Sequence, residues 1–221
     1  MLTVEAFRVE VAHDPHGGNH VDGLTLIGSG WHPALFRSEA EALVGPIVPL
    51  HSRIVVTESL DSNAFNRLSY SALIDEVIDN SQNLENLDPA ILCQKIAEWA
   101  SNNLPRGSFA MRVRNLGRGI NGFSRKSIAG ETGALIANDE HPVDLVNPEH
   151  EVVVILAGLD DPPNHPDTLG DFGSTVVWGL RNKSWTRTDY SGRQPTDRPF
   201  FKPVSLEPRL ARLLISLSHR S

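Results

Sequence analysis

The chain has 221 residues, 40% of them hydrophobic, and a formal net charge of -7; it is long enough for one large domain or two small ones with an ordinary core. No stretch has the roughly 18 consecutive apolar residues of a membrane helix, and the N-terminus lacks the basic start and apolar run of a signal peptide. We therefore expect a cytoplasmic protein. The single cysteine, Cys93, excludes an internal disulfide and lies in an apolar helical pattern typical of a buried core residue.

Charge is distributed unevenly along the chain. The stretch from Arg106 to Lys126 has six basic residues and no acid, residues 127–180 have ten carboxylates and no Lys or Arg, and residues 181–212 have eight basic residues against three acidic ones. Net charge says little about partners when charges are segregated in this way. One arginine cluster is usually a solvated face, but two that converge favour a surface for nucleic acid.

The first twenty residues predict a flexible extension before the first strand. Three histidines lie in it, His13, His16 and His20, but their spacing matches no closed set of metal ligands, and no second cysteine could complete one. We therefore predict no metal site. We assign residues 1–20 to the extension.

A small α/β unit is predicted over residues 21–85. The run LTLIGS predicts a strand, and HPALFRSEAEALVG predicts a helix that has Pro33 near its start and stops at Gly45. Two short strands follow in PIVPL and SRIVVTES. Apolar residues at helical spacing then predict a helix from about Asn63 to Ile78.

A second unit is predicted over residues 86–185, after the polar, turn-rich stretch 79–89. Asp88 and Pro89 predict the start of a helix over AILCQKIAEWA. The run SFAMRVRN predicts a strand with one apolar and one basic face, and a helix is predicted from Ser124 to Ala137. Three strand-like runs follow, VDLVNPEH, EVVVILAG and TVVWGLR. The sequence thus predicts two mixed α/β units.

Three motifs of the second unit resemble the THUMP domain. They are the basic strand SFAMRVRN opening on a Phe, the glycine-containing helix SIAGETGALI, and the turn Asp144–Pro148 within VDLVNPEHEVVVIL. The motifs agree with that family in order and spacing over about 50 residues. The resemblance implies an RNA-binding module.

The flanking segments are similar to the N-terminal half of archaeal tRNA guanosine-10 N2-methyltransferases. The run GSGWHPALFRSEAEALVG resembles the start of their ferredoxin-like N-terminal domain, and SGRQPTDRPFFKPVSLEPRLARLLISLS resembles their linker and the helix after it. Gln194 stands before Pro195 where the family linker has an arginine. The resemblance implies a linker over residues 186–205 and, over 206–221, the start of a methyltransferase domain that is truncated or absent.

No catalytic residue is predicted. The family's glycine-rich cofactor loop and its Asp-Pro-Pro-aromatic motif are not found, and Asp161-Pro162-Pro163 lacks the aromatic and precedes the linker. Gly117, Gly119 and Gly122 do not complete a phosphate-binding pattern and predict a basic loop instead. We expect no cofactor in this chain; the resemblance implies S-adenosylmethionine for the missing domain.

The expected function is to hold the acceptor end of tRNA for guanosine N2-methylation by a methyltransferase domain or subunit. The alternative is a stand-alone scaffold that docks a separately encoded enzyme through Phe200, Phe201 and the terminal helix. The leucines of that helix predict an uncovered apolar stripe and self-association. The predicted RNA-binding residues are basic and can pair with phosphates; they are Arg112, Arg114, Arg118, Arg125, Lys126, Arg198 and Lys202.

Overall fold

The computed structural model describes residues 12–13, 18–20, 24–57, 62–84, 88–159, 172–190 and 206–218. The helices are α1 (Pro33–Val44), α2 (Ser62–Leu68), α3 (Pro89–Asn103), α4 (Arg125–Ile136) and α5 (Pro208–Ser218). The strands are β1 (Ala12–His13), β2 (Gly18–His20), β3 (Leu24–Gly28), β4 (Val48–His51), β5 (Ile54–Thr57), β6 (Ile74–Leu84), β7 (Phe109–Leu116), β8 (His150–Ala157) and β9 (Thr175–Arg181).

All these strands belong to one mixed sheet, in the order β4-β5-β3-β6-β9-β8-β7, with β2 also paired to β6 and β1 to β2. The pair β7 and β8 is parallel, and the other pairs are antiparallel. The predicted mixed α/β fold is therefore confirmed. The ladder between β6 and β9 joins the first predicted unit to the second.

The sheet is strongly curved. The side chain of His51, in β4, hydrogen-bonds through Nε2 to the carbonyl oxygen of Gly158, just after β8, at 2.8 Å. In the strand order β4 and β8 are five positions apart, which in a flat sheet would separate them by roughly 24 Å at about 4.8 Å per strand. The sheet therefore bends until its two ends come close together.

Alternation of side chains divides the core between the two faces of the sheet. On one face, α3 and α4 cover Trp178 and its neighbours, and α1 and α5 cover a second cluster around Leu26. On the other, concave face of the curved sheet, a third cluster extends from Ile54 in β5 to Leu116 in β7. The edge strand β7 thus has helices on one face and the enclosed side on the other.

The prediction of a helix to Ile78 is wrong beyond Leu68, because the chain turns and then forms β6. The turn is fixed by Glu39, whose carboxylate accepts hydrogen bonds from the backbone N–H groups of Ala72 and Leu73 at 2.8 Å each. The β-branched residues that follow the turn fill the gap between β3 and β9. Tertiary pairing therefore prevails over the helical spacing.

The polar stretch 79–89 is also only partly a boundary. Residues 79–84 continue β6, which contains a register shift where Asn80 adopts a φ of 48°. Residues 85–87, where the predicted domain division falls, lie outside the described residues. Asp88 caps α3 as predicted, because its Oδ1 accepts from Ala90 N and Ile91 N.

Two further predictions of local structure differ from what the structure has. The run VDLVNPEH forms no strand of its own: Val143 makes an isolated bridge to Phe109, and His150 begins β8. Asp144 accepts hydrogen bonds from the N–H groups of Val146 and Asn147 and so makes a turn between them. Within the extension predicted for residues 1–20, β1 and β2 are paired strands.

The terminal helix α5 is not uncovered. Leu213 is fully buried against the cluster beneath α1, and Leu210 and Leu217 pack against the same cluster. Arg209 donates to Ala72 O at 2.7 Å, and its guanidinium lies 4.4 Å from the centre of the Trp31 ring. The prediction of an unpartnered stripe is wrong for these three leucines, because the first unit supplies the covering surface, whereas Leu206 and Leu214 are exposed. No helix in the described ranges is long and apolar enough to cross a membrane.

Candidate nucleic-acid interface

A groove of about 650 Å³ runs between the edge strand β7 and the first turns of α4. Four of the predicted RNA-binding residues lie on its walls, so strand and helix bring together side chains that are separated by a loop in the sequence. The groove-lining residues are Met111, Arg112, Val113, Arg114, Ser124, Arg125, Lys126 and Ala129.

The sequence explains how this groove forms. Met111 and Val113 face α4 and pack against the core cluster that also holds Phe109, so the predicted apolar face of β7 is present. Gly117 and Gly122 have φ angles of 70° and 83°, which allow the loop after β7 to turn back with little strain. Ser124 then caps α4, its Oγ accepting a hydrogen bond from Ser127 N at 3.3 Å.

Arg125 and Lys126 are the exposed cations of the groove. Both occupy the first turn of α4, which has no acidic residue, and neither side chain makes an ion pair or hydrogen bond within the part of the chain that the structure describes. Cations at a helix N-terminus are unfavourable by about 0.3–1 kcal/mol each, because that end of the helix is itself positive. Their position lowers the stability of the fold, and a bound anion would offset this unfavourable interaction.

Arg112 and Arg114 project from the other face of β7 and are paired with carboxylates. Arg112 Nε lies 2.8 Å from Glu151 Oε1, and Arg114 Nη2 lies 2.5 Å from Glu76 Oε2. Arg181 contacts both of these carboxylates, at 2.8 Å from Glu76 and 3.1 Å from Glu151. Three arginines therefore share two carboxylates, which leaves the network one positive charge in excess.

Burial is unequal within this network. The side chains of Glu76 and Glu151 are only 9% and 14% exposed, whereas the three arginines are between 36% and 40% exposed. The carboxylates therefore need their partners, since a buried charge without one is costly. The outer sides of Arg112 and Arg114 remain open to an anion in the groove.

The other predicted residues lie elsewhere. Arg118 is exposed but does not line the groove, and Arg198 and Lys202 lie outside the described residues. Sequence reasoning missed Glu76, Glu151 and Arg181, which come from three different strands. For Glu151 and Arg181 the sequence shows only a charged residue at the end of an apolar run, and Glu76 follows Asp75 in a segment with helical spacing.

The two basic segments converge only in part. Arg181 joins Arg112 and Arg114 through the shared carboxylates. Arg187 instead pairs with Asp75, and Arg212 donates to Tyr70 O at 2.9 Å. Most described arginines of the second segment therefore support the first unit and do not extend the groove.

A rigid apolar turn lies beside Arg112, whose Nη2 donates to Leu145 O at 3.2 Å. Hydrogen bonds from the N–H groups of Asn147 and Val146 hold the pKa of the Asp144 carboxyl below its usual value. The turn exposes Leu145 and Val146 by 66% and 82%.

Among the described residues no group of His, Cys, Asp and Glu could hold a metal ion.

Comparison with known proteins shows a shared fold at low sequence identity. No family model matches the chain, and no curated protein matches it. The chain is similar to TrmN from Thermus thermophilus, with 20% identity and a TM-score of 0.50 over 89% of this chain and 54% of that one. PH1313 from Pyrococcus horikoshii Ot3 matches with 16% identity and a TM-score of 0.44, over 72% of this chain and 54% of that one.

A 4-thiouridine synthetase, solved in complex with RNA and bound ATP, matches with 16% identity and a TM-score of 0.41, over 73% of this chain and 42% of that one. The chain thus spans about half the length of the solved structures it matches. The likeness to TrmN concerns the fold alone. This chain therefore shares its mixed α/β fold with part of TrmN.

Proposed function

We propose that the chain binds RNA in the groove between β7 and α4, and that its ligand is the single-stranded 3′ end of tRNA. The observation that carries this proposal is the pair of exposed cations, Arg125 and Lys126, at a helix end where they oppose stability. Residues that cost stability and lack a described partner are best explained by a ligand. The groove has cations on both walls, which suits a phosphate backbone.

A single strand suits the groove better than a duplex does. The groove volume of about 650 Å³ is in the range of roughly 300–1,000 Å³ found for small-ligand sites, which is enough to hold part of a single strand. Arginine can both pair with phosphate and stack on an unstacked base. The apolar tip at Leu145 and Val146 adds a rigid surface beside Arg112 that a ribose or base can contact.

We propose further that the bound tRNA is presented to a methyltransferase domain or subunit. That domain would use S-adenosylmethionine to methylate an exocyclic nitrogen of guanosine. The support for this is the resemblance of the N-terminal, THUMP and linker segments to tRNA guanosine N2-methyltransferases. Incubation of the chain alone with labelled S-adenosylmethionine and unmodified tRNA should give no label above a buffer control. Labelled guanosine would place an active site in this chain and contradict the proposal.

The RNA-binding proposal is tested by titrating labelled tRNA with the protein at two salt concentrations. Affinity should fall steeply with salt, because each neutralised phosphate releases counterions. A tRNA trimmed of its single-stranded 3′ end should bind more weakly, while a short RNA with only that end should compete with the full tRNA. Absence of binding at low salt would refute RNA binding; equal binding of trimmed and intact tRNA would refute the choice of the 3′ end.

A further inference from the structure

We propose that the groove distinguishes RNA from DNA by contacts between ribose 2′-hydroxyl groups and the free backbone edge of β7. This inference rests on the proposed RNA-binding function and adds to it a physical basis for choosing the sugar. The groups that carry it are the backbone N–H and C=O of Met111 and Val113, which lie along the groove.

Hydrogen bonds at the start of β7 show which residues point their backbone groups outward. Phe109 donates its N–H to Pro142 O, and its C=O accepts from Asp144 N, so both of its groups face away from β8. Ser108 O, in contrast, accepts from His150 N in β8. In a parallel ladder the residues alternate in direction. Met111 and Val113, at two and four residues after Phe109, therefore also direct N–H and C=O away from β8.

No residue that the structure describes uses these outward groups. The segment that pairs with Phe109 leaves β7 after the single bridge at Val143, and β7 is the last strand of the sheet. Over the described ranges, Met111 and Val113 have no hydrogen bond on that side. The groove thus has a floor with two backbone donors and two backbone acceptors between walls that bear Arg125 and Arg112.

The chemistry of this floor fits a ribonucleotide strand. A carbonyl oxygen accepts a hydrogen bond from a 2′-hydroxyl, which DNA does not have, whereas an N–H donates to a phosphate oxygen in either polymer. Successive outward residues are about 6.6 Å apart, twice the rise of a strand, which is close to the separation of successive phosphates in a single strand. Phosphate and ribose groups can therefore alternate along the edge in register with the N–H and C=O groups.

An extended peptide could in principle pair with the same edge. The charge of the groove favours RNA, since four cations line it and the described lining includes no carboxylate. A peptide complementary to this charge would have to be strongly acidic. It would also gain nothing from a 2′-hydroxyl, so the sugar chemistry of the ligand separates the two occupants.

The test uses one single-stranded sequence in three forms: all-ribose, all-deoxyribose and all-2′-O-methyl. Binding of each to the full chain is measured by fluorescence anisotropy at one low salt concentration. Two hydrogen bonds to 2′-hydroxyls should make the ribose form bind about tenfold more tightly than the deoxyribose form. The 2′-O-methyl form should bind as weakly as the deoxyribose form, because it retains the oxygen and has lost the donor.

The outcomes separate this inference from the function on which it rests. Equal affinity for ribose and deoxyribose forms would overturn the inference and leave nucleic-acid binding in place, whereas no binding to any form would overturn both. A Val113→Pro variant removes one outward N–H without removing a ladder bond to β8. It should weaken both polymers by a similar factor and leave their ratio unchanged, while Val113→Ala, which keeps the N–H, measures how much of that weakening comes from loss of the valine side chain alone. Loss of the ratio in Val113→Pro alone would also contradict the assignment of acceptor and donor roles.

Discussion

The groove at β7 and the packing site of α5 use arginines in opposite ways. In the α5 site, Arg209 and Arg212 donate to backbone carbonyls and lie against aromatic rings. In the groove, Arg125 and its neighbour Lys126 have no partner in the described part of the chain. A count of basic residues therefore cannot separate a structural segment from a binding segment, whereas the contacts that each cation already makes can.

The largest expected effect concerns the α5 site. Leu213→Ala should lower the free energy of unfolding by about 3 kcal/mol, because a fully buried leucine leaves a cavity when truncated. Leu214→Ala on the same helix, at a side chain that is 51% exposed, should stay within about 0.5 kcal/mol. Urea denaturation measures both. Equal losses in the two variants would mean that α5 does not pack on α1 as described.

The groove should respond in the opposite sense. Reversal of Arg125 and Lys126 to Glu should weaken tRNA binding at least about tenfold, through the loss of two charge-assisted contacts. Thermal stability should be unchanged or higher, because acids favour a helix N-terminus. The matched control reverses Lys95 and Arg106, which do not line the groove, and should keep most of the affinity. If both pairs weaken binding equally, the effect is one of net charge and the groove is not the site.

A smaller effect on RNA binding is expected at Glu151, which pairs with arginines beside the groove. Glu151→Gln removes a carboxylate that Arg112 and Arg181 share. RNA affinity should rise about threefold, with a steeper salt dependence, because one competing negative charge is lost next to the groove. Titration at two salt concentrations measures both quantities. Weaker binding by this variant would show that Glu151 is needed to position the arginines, and that the pairing does not attenuate binding.

The smallest effect is a pH dependence at the α5 site. Burial raises the pKa of the Glu39 carboxyl above its usual value of 4.5, against the hydrogen bonds that it accepts from the N–H groups of Ala72 and Leu73. A raised pKa means that the folded chain binds the proton more tightly than the unfolded chain does. The contribution of Glu39 to the free energy of unfolding is therefore fully present below pH 4.5 and is lost as the pH rises through the higher folded-state pKa.

Comparison with Glu39→Gln isolates that group from the other carboxylates. The variant should lose stability, because its amide has one oxygen to accept from the N–H groups of Ala72 and Leu73, where either protonation form of the carboxyl has two. Its deficit relative to the native chain should be largest near pH 4.5 and smaller at neutral pH. Thermal unfolding across this range measures the difference in stability between the two proteins. A deficit that grows toward neutral pH would contradict the upward direction of the Glu39 pKa shift.

Local signals predicted much of the fold and some of the residues that line the candidate groove. The Asp88 cap, the alternation along β7 and the start of α4 at Ser124 depend on neighbours in sequence, and all were predicted. The strand β6 was missed because its residues also have helical spacing, and only pairing with β3 and β9 decides between the two. The carboxylate partners of Arg112 and Arg114 were missed because they are distant in sequence. Glu151 is 39 residues from Arg112, and Glu76 is 38 residues from Arg114.

The ladder between β6 and β9 also limits how the molecule can be divided. A fragment that starts at residue 86 would lack β6, and β9 would then become an edge strand with unpaired backbone groups. Such an edge pairs readily with other chains, so the second unit alone should aggregate on expression. A fragment beginning before Ile74 keeps that edge closed. The unit that folds cooperatively therefore includes β6, wherever homology would set a domain border.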